Sequence, residues 1–121
     1  MRARHAIESA GTAYEAVRDL NRATLWPPEM TPADIDDVLS SLCAMTAALP
    51  QAFAHLSRIL EKVLTEELLV MDEMTDVRDP IVAVRGAQQD LEEARELAVD
   101  LHKLLDRAHN MTAHVISHGT T

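Results

Sequence analysis

The sequence predicts an all-α protein: a single domain, residues 1–121, folded as an elongated antiparallel bundle of four helical segments. Apolar residues recur every three or four positions along most of the chain, which is the spacing of one face of an α-helix. Signals for strands are few, because the chain has 3 glycines and no Asn-Gly or Asp-Gly pair to form a hairpin turn. The length is that of one ordinary domain, so one core is expected.

The first two segments are expected over residues 3–25 and 32–49. Alanine, valine and leucine side chains share one stripe of the first segment. This segment ends before Pro27, because proline lacks the N–H group of a helix and restricts the residue before it. The start of the second segment is well marked, since Thr31 can cap it and Pro32 suits the first helical position.

A third segment is expected over residues 51–75, after Pro50. No capping residue precedes this proline, since Leu49 cannot accept a hydrogen bond through its side chain. The pattern therefore favours two nearly continuous segments with a kink at Pro50 over two independent helices. Apolar residues occur on more than one side of the third segment, which is typical of a central helix or of a self-association surface.

The last helix is expected over residues 80–117, with Asp79 as its cap and Pro80 at its first position. Its apolar residues alternate steps of three and four, a heptad pattern that predicts a coiled-coil-like helix. The stripe consists of Ala87, Leu91, Ala94, Ala98, Leu101, Leu105, Ala108, Thr112 and Val115. One chain of this length can hardly cover so long a stripe, so the pattern favours a homo-oligomer, most simply a dimer.

Seven side chains are the candidates for the interface of this oligomer or for contact with another protein. They are Trp26, Leu68, Met71, Met74, Leu97, Leu104 and Met111. Six of them widen the apolar stripes of the third and last segments. Trp26 begins a proline-rigid loop, where an aromatic ring can either cover the end of the core or anchor a partner.

The charge balance indicates which partners are unsuitable. The chain has 20 acidic and 11 basic residues and a formal net charge of −9, which repels nucleic acid and anionic membranes alike. The acids concentrate in residues 61–79, where seven acidic residues stand beside two basic ones. An acidic regulator of a nucleic-acid-binding partner is therefore an alternative function.

The single cysteine and the lack of long apolar runs predict a cytoplasmic protein. Cys43 has no second cysteine to pair with, which fits a reducing compartment. No run approaches the length of about 18 apolar residues that a membrane span requires. Cys43 stands beside the stripe residue Leu42, so a place in the core is favoured over a role as a nucleophile.

The stretch HNMTAHVISH, residues 109–118, raises the question of a metal site. His114 and His118 are four residues apart, which brings two imidazoles onto one helix face, and Asp106 and His109 form a carboxylate-x-x-His pair. These four residues are weak metal candidates, because two ligands do not make a site and no glutamate lies between the histidines to act as a base. The sequence therefore predicts no cofactor and no catalytic residue, with a metal-binding bundle or metal-dependent enzyme as the alternative.

The run from YEAVRDLNRATL through DIDDVLSSLCAMTAALPQAFAHLSRIL resembles a set of small actinobacterial helical proteins that have no assigned activity. The shared features are a helix, a proline-containing loop and a Leu-Pro junction in the same order, over about the middle half of the chain. The resemblance implies the helical fold and carries no catalytic motif. The function predicted from the sequence is a non-enzymatic interaction or assembly module that self-associates.

Overall fold

The computed structural model describes residues 2–26, 29–67, 69–74, 76 and 79–116. They contain three α-helices and no strand, which confirms the all-α prediction. The helices are α1 (Arg2–Leu25), α2 (Pro32–Glu66) and α3 (Pro80–Thr112). The chain divides into two compact units, residues 1–31 and 32–121. The single domain stays a prediction.

The first unit contains α1, which begins and ends within one residue of the predicted bounds. Its described side chains are exposed except for the half-buried Leu20. Local contacts join neighbouring turns: Arg4 lies 4.0 Å from Glu8, and the Thr24 hydroxyl donates a hydrogen bond to the carbonyl of Leu20 at 2.8 Å. The ion pair at this spacing stabilises the helix from within.

The second unit is a hairpin in which α2 and α3 pack along their length. Their contacts follow one antiparallel register. Asp36 contacts Thr112, Cys43 contacts Asp106, and Glu61 contacts Arg85. The residue numbers of α3 thus fall as those of α2 rise, as in an antiparallel pair. Each residue of α2 thus has a residue of α3 at the same level of the hairpin.

The prediction of four helical segments was wrong, because residues 32–66 form one α-helix that contains Pro50. Proline removes one hydrogen bond, from its own position to the carbonyl of Thr46, and strains the preceding turn. Packing on both sides of Pro50 opposes that loss. Thr46 is 2% exposed, Phe53 is half-buried, and Ala98 of α3 at the level of Pro50 is 5% exposed. Tertiary contact therefore keeps the helix continuous where the local sequence favours an interruption.

Two predicted helix ends were also wrong, since α2 ends at Glu66 instead of residue 75 and α3 ends at Thr112 instead of residue 117. The antiparallel register explains both ends. Glu66 lies level with Pro80, the first residue of α3, and Thr112 reaches Asp36 near the start of α2. Beyond these points neither helix has a partner to pack against, and most helical stability in proteins comes from such packing.

The start of α3 agrees with the prediction. Asp79 has extended backbone angles, and its side chain accepts the N–H of Ile81 at 2.9 Å, while Pro80 takes the first helical position. The cap satisfies one of the free N–H groups at the start of a helix. None of the helices in the described ranges is long and apolar enough to cross a membrane.

Full burial among the described residues is confined to Cys43, Thr46 and Ala98, at the middle of the hairpin. Two of these three residues carry a polar side-chain group. The leucines, isoleucines and valines around them are half-buried or exposed. The hairpin therefore leaves much of its apolar surface uncovered by its own two helices.

Candidate functional site

A polar cluster joins α2 and α3 at the middle of the hairpin. Nδ1 of His102 lies 3.0 Å from the carbonyl oxygen of Cys43 and 3.4 Å from the hydroxyl of Thr46. The Thr46 hydroxyl donates to the same carbonyl at 2.9 Å. A carbonyl oxygen only accepts hydrogen bonds, so we assign the proton of the His102 ring to Nδ1. His102 thus ties α3 to the backbone of α2.

The Cys43 thiol completes this cluster. Its Sγ atom lies 3.6 Å from Nδ1 of His102 and donates to Oδ1 of Asp106 at 3.8 Å. Burial raises the pKa of the Cys43 thiol, and the nearby Asp106 carboxylate raises it further by its charge and by its hydrogen bond. The surroundings therefore favour the neutral thiol over the thiolate.

Cysteine, histidine and aspartate also occur together in thiol hydrolases, but here the contacts are arranged differently. A catalytic cysteine needs a lowered pKa and a histidine that accepts its proton, with a third group orienting the histidine. In this cluster Asp106 contacts the thiol, the pKa of Cys43 is raised, and Nδ1 of His102 already donates to a carbonyl. The arrangement suits a contact between two helices and does not suit a nucleophile.

The native thiol is accordingly expected to react slowly. We predict that iodoacetamide at pH 7.5 modifies Cys43 on the order of ten times more slowly in the folded protein than in urea, because burial limits access to the thiol and raises its pKa, and the thiolate is the nucleophile. Mass spectrometry of quenched samples measures the rate. The variant Ser40→Cys is the matched control, because position 40 is exposed about one turn away on the same helix and lies on the side opposite the apolar face. Equal rates at the two positions of the folded protein would contradict the assignment.

A second polar contact lies towards the start of α2. Oδ1 of Asp36 accepts the Thr112 hydroxyl at 2.6 Å and lies 2.9 Å from Nδ1 of His109. Nδ1 of His109 is buried and makes no hydrogen bond of good geometry with the described residues, although Oδ1 of Asp36 lies within contact distance. This contact holds the end of α3 against the start of α2.

A third polar contact lies near the loop end of the hairpin. Arg85 forms an ion pair with Glu61, and the Gln88 amide donates to the same carboxylate at 3.1 Å and to the Ser57 carbonyl at 3.1 Å. The hydrogen bond from Arg85 lowers the pKa of Glu61, with a smaller contribution from Gln88. The three polar contacts together fix the register of α2 on α3.

The predicted metal candidates do not come together as one site. Asp106 contacts Cys43, His109 contacts Asp36, and His114 is exposed beyond the end of α3. His118 lies outside the described residues. The part of the chain that the structure describes contains no group of three or more His, Cys, Asp or Glu side chains placed to hold a metal ion.

The C-terminal half of α3 carries an exposed apolar flank. Leu97 is 68% exposed, Leu104 56% and Met111 74%, with Leu101 and Ala108 between them on the same flank. With 3.6 residues per turn, these five positions lie about 60° to 140° around the helix from Ala98, which faces α2. They repeat every three or four residues, so the flank is a continuous stripe.

A matching flank runs along α2. Its exposed members include Met45, Leu56 and Ile59, and the half-buried Val38, Leu49 and Val63 complete it. These positions lie about 60° to 140° around the helix from the buried Thr46, in the same rotational sense as the flank of α3. Because the helices are antiparallel, equal rotation in the same sense brings both flanks to one side of the hairpin. We call this side the apolar face; Asp106, Glu61 and Gln88 lie on the opposite side.

The predicted interface residues fall into two groups. Leu97, Leu104 and Met111 belong to the apolar face. The others lie elsewhere: Trp26 is 82% exposed after α1, Met74 is 90% exposed and Met71 half-buried in the segment after α2, and Leu68 is outside the described residues. Met71 and Met74 were assigned to a helical stripe that the structure ends at Glu66.

The polar clusters and the flank of α2 were not predicted from the sequence as parts of one arrangement. A usable signal was present, since His102 and His109 stand at the border of the heptad stripe in α3. The geometry offers an interaction surface, the apolar face. The three polar contacts between α2 and α3 fix the alignment of the two helices that form this face. Comparison with protein-family models, with curated proteins and with solved structures found no match to this chain, so its resemblance to small actinobacterial helical proteins stays a prediction.

Proposed function

We propose that this chain is a non-enzymatic assembly module that self-associates through the apolar face of the α2–α3 hairpin. The observation that carries the proposal is that exposed apolar side chains of both helices line one side of the hairpin in a continuous stripe. Single exposed apolar residues are common on protein surfaces, but contiguous patches of them mark interaction sites.

The free energy available on this face is large. Burying one leucine, isoleucine or methionine side chain contributes about 1.5–3 kcal/mol relative to leaving it exposed. Leu97, Leu104, Met111, Leu56 and Ile59 are each at least half exposed. A standard interface buries about 800 Å² on each partner. A stripe that runs along α2 and along the C-terminal half of α3 suits an interface of that class.

A second copy of the chain is the partner that suits the surface. The net charge of −9 disfavours nucleic acid and acidic membranes, and it also opposes the association of two copies at low salt, so the apolar face must supply the attraction. A twofold dimer brings the same patch of each copy together, so an apolar face meets an apolar face. Two helices on each side then give four helices around one core, which is a common way for helices to bury their apolar stripes.

Sedimentation velocity over a dilution series from micromolar to nanomolar concentration tests the proposal. We expect a species of about twice the chain mass of 13.4 kDa at high concentration, dissociating reversibly on dilution. A species of single-chain mass at every concentration would refute self-association. A mass equal to that of a dimer also distinguishes self-association from the binding of an unrelated protein alone.

A further inference from the structure

We infer that in the dimer α3 of each copy packs antiparallel on α2 of the other, around a twofold axis parallel to the helices. This inference rests on the proposed self-association and specifies its geometry. The product is a four-helix bundle in which each helix has two antiparallel neighbours, one from its own chain and one from the second copy.

The apolar positions in the C-terminal half of α3 match those of α2 level by level. A twofold axis parallel to the helices keeps every residue at its own level, so a residue of α3 meets the α2 residue of the second copy that lies level with it in its own hairpin. Ala108 then meets Val38, Leu101 meets Met45, and Leu97 meets Leu49. These pairs recur at steps of seven and four residues on both helices, the spacing that keeps residues on one helix face.

Charges at the border of the apolar face support the same pairing. Arg107 of α3 lies about level with Asp37 of α2, and Glu93 lies level with His55. All four side chains are exposed on the outer border of the face. In this arrangement Arg107 approaches Asp37 of the second copy, and Glu93 approaches its His55, so the border residues attract or are neutral. Such border charges determine partner orientation in helical assemblies.

The main alternative places the twofold axis perpendicular to the helices, so that α3 packs on α3. With full overlap of the hairpins, Asp100 then lies about level with Glu93 of the second copy at the outer border of the face, which is repulsive. Leu101 lies about level with the exposed Asp90. This arrangement separates apolar residues from each other and brings like charges together, so the axis parallel to the helices is favoured.

Cross-linking of two single-site variants tests the arrangement. Ala48 on α2 and Asp100 on α3 are exposed, lie level with each other and stand on outer borders of the apolar face. In one hairpin the two positions point away from each other, whereas in the inferred dimer position 48 of one copy lies beside position 100 of the second. Ala48→Cys and Asp100→Cys are purified separately, mixed for subunit exchange, and treated with a short bismaleimide.

The inferred arrangement gives a covalent dimer in the mixture at least ten times faster than in either variant alone. The wild type, whose Cys43 is buried, is the control for background reaction. Faster cross-linking of Asp100→Cys alone, or no cross-linking in the mixture while sedimentation still shows a dimer, would overturn the arrangement and leave self-association intact. The absence of a dimer in sedimentation of the wild type is a separate outcome, and it would refute the proposed function.

Discussion

Leu104→Asp is expected to convert the dimer to a monomer at micromolar concentration. Leu104 is 56% exposed in the hairpin and lies in the middle of the apolar face of α3. Each dimer loses two leucines at the interface, about 1.5–3 kcal/mol each, and the new carboxylates oppose burial further. Since 1.4 kcal/mol changes an equilibrium constant tenfold, the dissociation constant should rise on the order of 100-fold or more. Sedimentation equilibrium measures it.

Met74→Asp is the matched control for this substitution. Met74 is the most exposed of the predicted interface residues, at 90%, and lies outside both packed helices. The same change of chemistry there should leave the dissociation constant within about twofold of the wild type. Circular dichroism of both variants tests whether the helices are retained. If Leu104→Asp is folded and dimerises as tightly as Met74→Asp, the apolar face is not the interface.

The sequence was sufficient to predict the helical class and the start of each helix. The helix starts depend on local chemistry: Pro32 and Pro80 occupy first helical positions, and Asp79 caps α3. The helix ends were misjudged because they depend on the partner helix. Neither the apolar residues after Glu66 nor those after Thr112 reveal locally that the opposite helix has already ended.

The candidate site was likewise predictable only where it depends on local spacing. The heptad of α3 identified Leu97, Leu104 and Met111, because periodicity alone places them on one flank. Their partners on α2 depend on the register of the hairpin, which is fixed by contacts such as Cys43 with Asp106 and Glu61 with Arg85. Contacts between residues so far apart in the chain cannot be obtained from local spacing. Without the register, the flanks of the two helices could not be placed on the same side.

The polar contacts also explain why a hairpin with little buried apolar surface keeps a defined register. Apolar stripes by themselves permit one helix to slide along another by a turn or a heptad. A shift of one turn would leave the buried Thr46 and the Cys43 carbonyl without His102. Buried polar groups that lose their partners cost about 1–3 kcal/mol each. The three polar contacts thus specify the alignment of α2 with α3, while the apolar face remains available for association.

Pro50→Ala is expected to stabilise the protein by about 1–3 kcal/mol. Alanine supplies the N–H group that proline lacks, so the helix can complete the hydrogen bond to the carbonyl of Thr46, and proline inside a helix costs about 3 kcal/mol relative to alanine. Part of this gain is offset, because Pro50 is half-buried and its ring packs more surface than a methyl group. Urea unfolding followed by circular dichroism, at one fixed protein concentration because association is linked to folding, measures the change.

Pro32→Ala is the control for the chemistry of the substitution itself. Pro32 occupies the first position of α2, where the helix makes no use of the missing N–H group, so the free energy of unfolding should change by less than about 0.5 kcal/mol. A large difference between the two variants, with Pro50→Ala the more stable, is the expected result. If Pro50→Ala instead destabilises the protein, the contact of the proline ring with α3 outweighs the lost hydrogen bond. Pro50 would then be a required part of the α2–α3 contact, and the expectation that the proline weakens α2 would have to be abandoned.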